Sequence, residues 1–307
     1  MQQLLDTADK IRTMEIRGAG RIAVAAAGAL RDYVKDLQVS SFEEFETKVA
    51  EASEILVETR PTAVSLPNAV KLAGRYDVSN IEEAREQIIA NANGFIERAE
   101  KALDKIAEIG AKRLKDGDVV MTHCNSHAAI AIIKAAHNQG KNIKVYATES
   151  RPRRQGFITI RELNDAGVPT TLIVDSAVRL TMKKVDVVIV GADSITANGA
   201  LVNKIGTSQL ALAAKEARVN FISAAETFKF HPKTVMGNMI EIEDRSSDEV
   251  IDSEILEEMP NVTVSNPAFD VTPSEYIDLI VTEVGAFPPS MAFVVIRDYL
   301  GLELTEN

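Results

Sequence analysis

The chain has 307 residues, which at roughly 150 residues per domain allows about two domains. Hydrophobic residues make up 46% and charged residues 26%, a composition that excludes disorder, collagen and coiled coil as the main structure. Lys and Arg total 34 against 45 Asp and Glu, so the net charge is −11, and aromatic residues make up only 5%. Because such a chain lacks a basic surface and base-stacking side chains, we expect neither nucleic acid nor membrane as a partner.

The single cysteine, Cys124, excludes an intramolecular disulfide and is typical of a cytosolic protein. No apolar run approaches the 18 or so residues of a membrane span. Residues 1–12 are polar and lack the apolar core of a signal peptide. We therefore expect a cytoplasmic protein.

The first third of the chain is predicted to be helical, with no strand before Lys115. Ser41 is a capping residue followed by an apolar stripe that reaches Leu56, and Pro61 should stop that helix. The other predicted helical segments are 6–16, 20–33, 68–73 and a long amphipathic stretch over 79–114. We assign residues 1–114 to an N-terminal helical domain.

From residue 115 onward, strand-like and helical segments alternate. The apolar, β-branched runs are 118–121, 143–147, 170–174, 185–190 and 220–223, and the helical stretches between them are 126–139, 159–166, 177–182 and 207–217. Alternation of this kind predicts a parallel sheet with right-handed crossovers. The fold class is therefore α/β, with residues 115–307 forming a Rossmann-like catalytic domain.

Polar residues follow each of the five predicted strands. They are Cys124 after the first strand, Glu149 and Arg151 after the second, Asp175 after the third, Asp193 after the fourth, and Glu226 and Lys229 after the fifth. The carboxyl ends of the strands are where an open α/β sheet binds ligands. We therefore place the active site at this edge.

Cys124 stands where a strand ends and a helix begins, a position that lowers the pKa of a thiol and favours the thiolate. The alternative is a buried, inert cysteine. His123 and His127 lie close by in sequence, but zinc needs three or four convergent ligands, and adjacent strand residues point to opposite faces. We expect no metal.

Asp193 follows an apolar run, so partial desolvation should raise its pKa and suit it to acid–base chemistry near neutral pH. A cap or a structural ion pair is the alternative. The segment from Arg17 through Gly18, Ala19 and Gly20 matches a dinucleotide fingerprint, but no strand precedes it. We interpret it as a glycine-rich turn at a helix start that faces an anion, with a tight helix–helix turn as the alternative.

Further positive groups indicate anion binding on this acidic chain. Asn203 and Lys204 precede a helix that begins near Thr207, and a helix N-terminus with a lysine makes a phosphate site to which Lys229 could add a second charge. Arg151, Arg153 and Arg154 form a cluster that serves either an anion or a subunit interface. From the residues we predict proton-transfer chemistry on a small phosphorylated compound, with no cofactor.

Several motifs together resemble one superfamily, that of the sugar-phosphate aldose–ketose isomerases and the regulatory subunits of translation initiation factor 2B. They are Glu149-Ser150-Arg151-Pro152, Gly191-Ala192-Asp193, Asn203-Lys204-Ile205-Gly206-Thr207, Ala225-Glu226-Thr227-Phe228-Lys229 and Thr282-Glu283-Val284-Gly285. Cys124 and Asp193 are present, whereas the regulatory subunits generally lack a catalytic Cys and Asp. The likeness is greatest to the archaeal branch that isomerises ribose 1,5-bisphosphate to ribulose 1,5-bisphosphate in AMP degradation.

The resemblance implies a set of roles. Cys124 would move the carbon-bound proton and Asp193 the oxygen-bound protons, through a cis-enediol(ate)-type intermediate. The implied substrate-binding residues are Arg17, Gly18, Ala19, Gly20, Arg60, Ser126, His127, Ala128, Arg151, Asn203, Lys204 and Lys229. The branch also implies AMP as an activator and a homo-oligomer, either a dimer or a hexamer built as a trimer of dimers. Two alternatives stay open: a methylthioribose-1-phosphate isomerase and a non-catalytic regulatory subunit.

Overall fold

The structure is a computed structural model that describes residues 1–16, 18–60, 64–237 and 240–301. Its longer helices are α1 (Gln2–Arg12), α2 (Ala19–Asp36), α3 (Phe42–Val57), α4 (Ser65–Ala73), α5 (Ile81–Ala111), α6 (His127–Asn138), α7 (Gly156–Asp165) and α9 (Thr207–Ala217). Three short helices are α8 (Val178–Thr181), α10 (Ser253–Glu257) and α11 (Ala292–Val295). In these ranges no helix is long and apolar enough to cross a membrane.

The first five helices pack around one apolar core that includes Leu30, Phe45 and Ile88, all fully buried. Ser41 caps α3 by accepting the amide of Glu44 at 3.2 Å, and Asn80 caps α5 in the same way. Each cap satisfies an N–H group that the helix itself leaves unpaired. No strand precedes residue 115 in the described part of the chain, as predicted.

Helix α5 joins two cores. Its first half packs among the other N-terminal helices, and its last turns pack against α6 through Ile106 and Ala111. A methyl group on Gly110 would lie 2.4 Å from the side chain of Ile132, so glycine permits the close approach of α5 and α6. The proposed division of the chain at residue 114 stays a prediction, and α5, which ends before that residue, contributes apolar residues to both cores.

The large sheet contains seven strands in the order β10–β9–β7–β4–β1–β2–β3. Their bounds are β1 (Val119–Thr122), β2 (Lys144–Thr148), β3 (Thr170–Ile173), β4 (Val187–Val190), β7 (Asn220–Ala224), β9 (Leu279–Thr282) and β10 (Gly285–Phe287). All neighbouring pairs are parallel except β9 and β10 at one edge. The strand order reverses between β1 and β4, which are paired, and this is the crevice where a sheet of this kind binds ligands. The predicted α/β class with a Rossmann-like sheet is confirmed.

A second, antiparallel sheet was not predicted. It consists of β5 (Ser194–Ile195), β6 (Leu201–Lys204) and β8 (Phe269–Thr272). The sheet sets the position of Lys204, whose partner across the β6–β8 register is Phe269.

The predicted helix over 6–16 is wrong at both ends, because α1 spans Gln2–Arg12. Beyond it the chain turns, and Met14 takes a left-handed backbone conformation with φ of 63° that no α-helix can contain. Pro61 lies outside the described residues, and α3 ends at Val57 before reaching it.

Candidate functional site

Cys124 lies two residues after the end of β1, in a left-handed conformation with φ of 66°. Its backbone N–H donates to Ser150 Oγ at 2.7 Å, and its carbonyl accepts from Thr159 Oγ1 at 2.7 Å. The Asp175 carboxylate in turn accepts the backbone amides of Ser150 and Arg151, both at 2.8 Å. These hydrogen bonds link the carboxyl ends of β1, β2 and β3, and they fix the backbone position from which the Cys124 side chain extends.

The thiol of Cys124 is not activated in the way that the sequence predicts. Burial raises its pKa to about 11, although a hydrogen bond from the Asn125 amide and the charges of Lys204 and Arg245 act in the opposite direction. Desolvation outweighs these opposing interactions. Burial therefore favours the protonated thiol at neutral pH, the opposite of the effect expected from a position at the start of a helix.

Asp193 follows β4 on the other side of the switch point. Burial raises the pKa of its carboxyl group, as predicted, while four cations oppose the rise. Those cations are Lys229, Lys204, Arg60 and Arg245. The charge of Asp193 also helps to raise the pKa of Cys124, so the two groups interact across the crevice.

One group of anion-binding features surrounds Lys229. This lysine is 8% exposed and forms an ion pair with Glu226 at 2.7 Å. The N-terminus of α2 lies against the same pair, because a methyl group on Gly20 would lie 3.2 Å from Glu226 Oε1. Gly18 is the N-cap of α2, with φ of 92°, and no side chain in the described part of the chain caps the helix there. The amides at Ala19 and Gly20 are therefore the orphan donors that attract an anion. Arg17 lies outside the described residues.

The N-terminus of α6 reaches the same region. Ser126 is its N-cap and accepts the Ala129 amide at 3.3 Å, and His127 and Ala128 form the first turn. His127 Nε2 lies 3.4 Å from the guanidinium of Arg21 in α2. Burial and the positive charge of Arg21 lower the pKa of His127, which favours the neutral imidazole. Two helix N-termini thus converge near Lys229.

A cavity of about 300 Å³ opens on a second set of cations. It is lined by Arg12, Met14, Arg60, Arg153, Glu243, Asp244, Arg245, Ser246 and Glu249. Arg60 lies 3.5 Å from Glu243, and Arg245 lies 3.0 Å from the same carboxylate, so one acid is shared by two guanidinium groups. Sequence reasoning missed Arg245, which lies in a segment with no predicted element and no motif.

Lys204 is buried and interacts electrostatically with both Cys124 and Asp193. It is 4% exposed, and its ammonium lies 5.3 Å from the ring centroid of Phe269. Burial lowers its pKa, while the charges of Cys124 and Asp193 raise it. Asn203 is also buried and donates to Thr207 Oγ1 at 3.0 Å, so it braces the turn into α9.

The phosphate site predicted at the N-terminus of α9 is occupied by a side chain of the protein. Asp270 accepts the amide of Gly206 at 2.7 Å and both the amide and the hydroxyl of Ser208, at 3.1 and 2.9 Å. The prediction is therefore wrong about the helix end, because Asp270 in β8 is distant in sequence and carries no local signal. The position of Lys204 is set by β6 and does not depend on the N-terminus of α9.

The arginine cluster after β2 is engaged with the protein. Arg151 is exposed and donates to the carbonyls of Val250 and Pro152, at 3.2 and 3.3 Å. Arg153 pairs with Glu249 at 2.7 Å and lines the cavity. Arg154 lies over the ring of Phe157 at 5.9 Å. Of these three arginines, Arg153 is the one that lies in the candidate site in the described part of the chain.

His123 is committed to the interior. Its Nδ1 lies 2.6 Å from Thr148 Oγ1 and its Nε2 lies 2.8 Å from the carbonyl oxygen of Ile205. Both nitrogens therefore have protein partners, which leaves neither lone pair for a metal. Across the described ranges, no group of three His, Cys, Asp or Glu side chains is placed to hold a metal ion.

Residues 15–289 match the model of the Initiation factor 2 subunit family. The ribose 1,5-bisphosphate isomerase of Archaeoglobus fulgidus is 56% identical over 301 residues, 98% of this chain and 95% of that protein. The methylthioribose-1-phosphate isomerase of Acetivibrio thermocellus is 39% identical, covering 94% and 90%. The crystal structure of translation initiation factor eIF-2B from Pyrococcus horikoshii superimposes with a TM-score of 0.80 at 33% identity, covering 94% and 98%. The chain belongs to the initiation factor 2 subunit family.

Proposed function

We propose that this chain isomerises ribose 1,5-bisphosphate to ribulose 1,5-bisphosphate. The observation that carries the proposal is a buried thiol and a buried carboxyl group, Cys124 and Asp193, that interact electrostatically with each other and with the same two cations, Lys204 and Arg245. The 56% identity to a ribose 1,5-bisphosphate isomerase over nearly the whole chain supports the same substrate. A bisphosphate needs an anion-binding group at each end, and the site offers both.

One phosphate is assigned to the region of Lys229, where the open amides of α2 and α6 supply neutral donors. The other is assigned to the cavity that contains Arg60 and Arg245, whose guanidinium groups suit bidentate contact with phosphate oxygens. On a chain of net charge −11, two such concentrations of positive charge favour a doubly anionic ligand.

The chemistry follows from the substrate. Carbon 1 carries a phosphate, so the ring opens only if its oxygen gains a proton while carbon 2 loses one. The raised pKa of Asp193 suits it to donate a proton to the ring oxygen and then, as a carboxylate, to take up the proton that the 2-hydroxyl group loses when carbon 2 becomes a carbonyl. Cys124 is assigned the carbon-bound proton, which it takes from carbon 2 and returns to carbon 1. In this proposal the Cys124 thiol passes its own proton to the neighbouring Asp193 carboxylate, which leaves Asp193 protonated for the ring oxygen and Cys124 as a thiolate that Lys204 and Arg245 stabilise. A thiolate whose conjugate acid has a pKa of about 11 is a stronger base than an ordinary one.

The intermediate is then a cis-enediol(ate)-type phosphate, which eliminates phosphate when water reaches it. The burial that raises the pKa of both groups also excludes water, so it protects the intermediate. No step requires a cofactor, and AMP is assigned the role of an activator.

We further propose that the chain acts as a homo-oligomer, a dimer or a hexamer. Exposed apolar side chains on and after the edge strand β3 support this assembly, namely Leu172, Val174 and Leu180. Light scattering on the purified protein should give the mass of a dimer or a hexamer, and a monomer at micromolar concentration would refute the assembly.

Phosphorus NMR with two substrates tests the function. Purified protein should convert ribose 1,5-bisphosphate, with a rate that rises on addition of AMP, and should leave methylthioribose 1-phosphate unchanged. Conversion of methylthioribose 1-phosphate alone would establish the other isomerase activity instead. Turnover of neither substrate would favour a non-catalytic binding role.

The second cation group is tested with Arg245→Gln. Losing a charged hydrogen bond to phosphate should raise KM by about tenfold or more. Arg179→Gln is a matched control, because Arg179 is exposed and pairs only with Glu216 in the described contacts. An unchanged KM in the Arg245 variant would remove this cavity from the substrate site.

A further inference from the structure

A buried chain of hydrogen bonds runs from the backbone of Cys124 to the turn that precedes α9. Cys124 N–H lies 2.7 Å from Ser150 Oγ, which lies 3.1 Å from Thr148 Oγ1. That oxygen lies 2.6 Å from His123 Nδ1, and His123 Nε2 lies 2.8 Å from the carbonyl oxygen of Ile205. The three intervening side chains are at most 2% exposed, so water does not compete for their partners.

With a neutral imidazole, the partners at the two ends fix the direction of every bond. A carbonyl oxygen only accepts, so His123 must carry its proton on Nε2 and accept at Nδ1. Thr148 then donates to His123, and Ser150 donates to Thr148. Ser150 accepts the N–H of Cys124. Each hydroxyl donates once and accepts once, so all of these hydrogen bonds run in one direction when the imidazole is neutral. Burial lowers the pKa of His123, in agreement.

This chain of hydrogen bonds stabilises an unusual backbone conformation at Cys124 and Ser150. Cys124 and Ser150 both adopt left-handed conformations, with φ of 66° and 60°. Non-glycine residues seldom adopt this conformation without support from their surroundings. Thr159 and Asp175 brace the same two residues from outside the chain.

The other end of this chain of hydrogen bonds reaches the turn that follows Lys204. Ile205 is the next residue, and its own N–H donates to the carbonyl of Ala268 at 3.0 Å. The imidazole also packs on Gly206, where a methyl group would lie 3.0 Å from the ring. The backbone segment that carries the Cys124 thiol is therefore linked through His123 to the segment that carries Lys204, the cation that favours the thiolate.

We propose that His123, Thr148 and Ser150 are positioning residues that hold the Cys124 thiol in register with Lys204. None of the three touches substrate in this assignment. The consequence for turnover rests on the proposed function, whereas the consequence for the thiol does not.

The test compares Thr148→Val with Thr148→Ser. Valine has the shape of threonine but no hydroxyl, so it breaks the chain, and serine restores the link. Ser150→Ala is a second break, at the acceptor of the Cys124 amide. Because Cys124 is the only cysteine, the rate of iodoacetamide alkylation against pH reports this thiol alone. Circular dichroism and thermal melting select conditions in which each variant is folded.

Thr148→Val and Ser150→Ala should each shift the pH profile of alkylation, and kcat should fall at least tenfold with KM within twofold. Thr148→Ser should keep the wild-type profile and kcat within about threefold. An alkylation profile that is unchanged in both breaking variants would overturn the proposal, even where kcat falls. If wild-type protein fails to isomerise ribose 1,5-bisphosphate, the proposed function fails while the alkylation arm still decides this inference.

Discussion

Gly191 lies at the switch point of the sheet, where β4 ends beside the N-terminus of α6, and its replacement by alanine should disturb both. A methyl group there would lie 2.3 Å from Ser126 Oγ and 2.5 Å from Ser126 Cβ. Rotation of the Ser126 side chain moves the hydroxyl but leaves Cβ in place, so the backbone of α6 or β4 must shift. Overpacking of this kind costs about 1–3 kcal/mol, and distortion of the Ser126 cap adds about 1 kcal/mol.

We therefore expect Gly191→Ala to lower the free energy of unfolding by about 2–4 kcal/mol, measured by urea denaturation. For a chain of this length that loss lowers Tm by about 3–6 °C. Activity should fall further than stability requires, because Cys124 and Asp193 flank the displaced contact.

A second substitution tests whether the contact with Ser126 is the cause of the loss. Ser126→Gly removes both clashing atoms and costs only a few tenths of a kcal/mol as a cap, so the Gly191→Ala/Ser126→Gly double variant should recover most of the loss. Ser126→Ala leaves Cβ at 2.5 Å and should recover much less. Equal recovery by glycine and alanine, or none by glycine, would refute the contact as the cause.

Three further predictions concern charges. Asp193→Asn should abolish turnover and raise Tm at pH 7, because the pKa of Asp193 is raised in the folded protein and its ionised carboxylate therefore destabilises the fold. This gain in Tm should shrink as the pH falls through the folded pKa of Asp193. A lower Tm of the variant at pH 7 would contradict the predicted direction of the change. Alkylation of Cys124 should accelerate about tenfold per pH unit from pH 7 to 9 without a plateau, whereas a plateau in that range would indicate an activated thiolate. Asp270→Ala should lower the free energy of unfolding by about 1–2 kcal/mol through loss of the α9 cap, and Asp270→Asn should lose less because it keeps an acceptor oxygen; equal losses measured by urea denaturation would contradict capping.

Local patterns sufficed for much of the fold. The helix predicted over 207–217 matches α9, and the strand predicted over 220–223 is one residue short of β7, because caps and apolar periodicity are local signals. The β9–β10 hairpin and the small antiparallel sheet were missed. Their strands are two to four residues long, and β8 and β9 pair with β6 and β7, which lie much earlier in the chain.

Long-range contacts explain what was missed at the site. The residue types at the strand ends indicated Cys124 and Asp193, and the switch point between β1 and β4 brings them together. The pKa of the thiol depends on how deeply the site is buried, which no local pattern reports. Asp270 and Arg245 enter the region from the last third of the chain, in segments without a predicted element.

The pairing of Cys124 with Asp193 is tested most directly by turnover in single variants. Phosphorus NMR of ribose 1,5-bisphosphate with wild type, Cys124→Ala and Asp193→Asn should show ribulose 1,5-bisphosphate with wild type alone. All three proteins should give the same circular dichroism. Product formation by either folded variant at a rate near wild type would contradict the assigned acid–base pair.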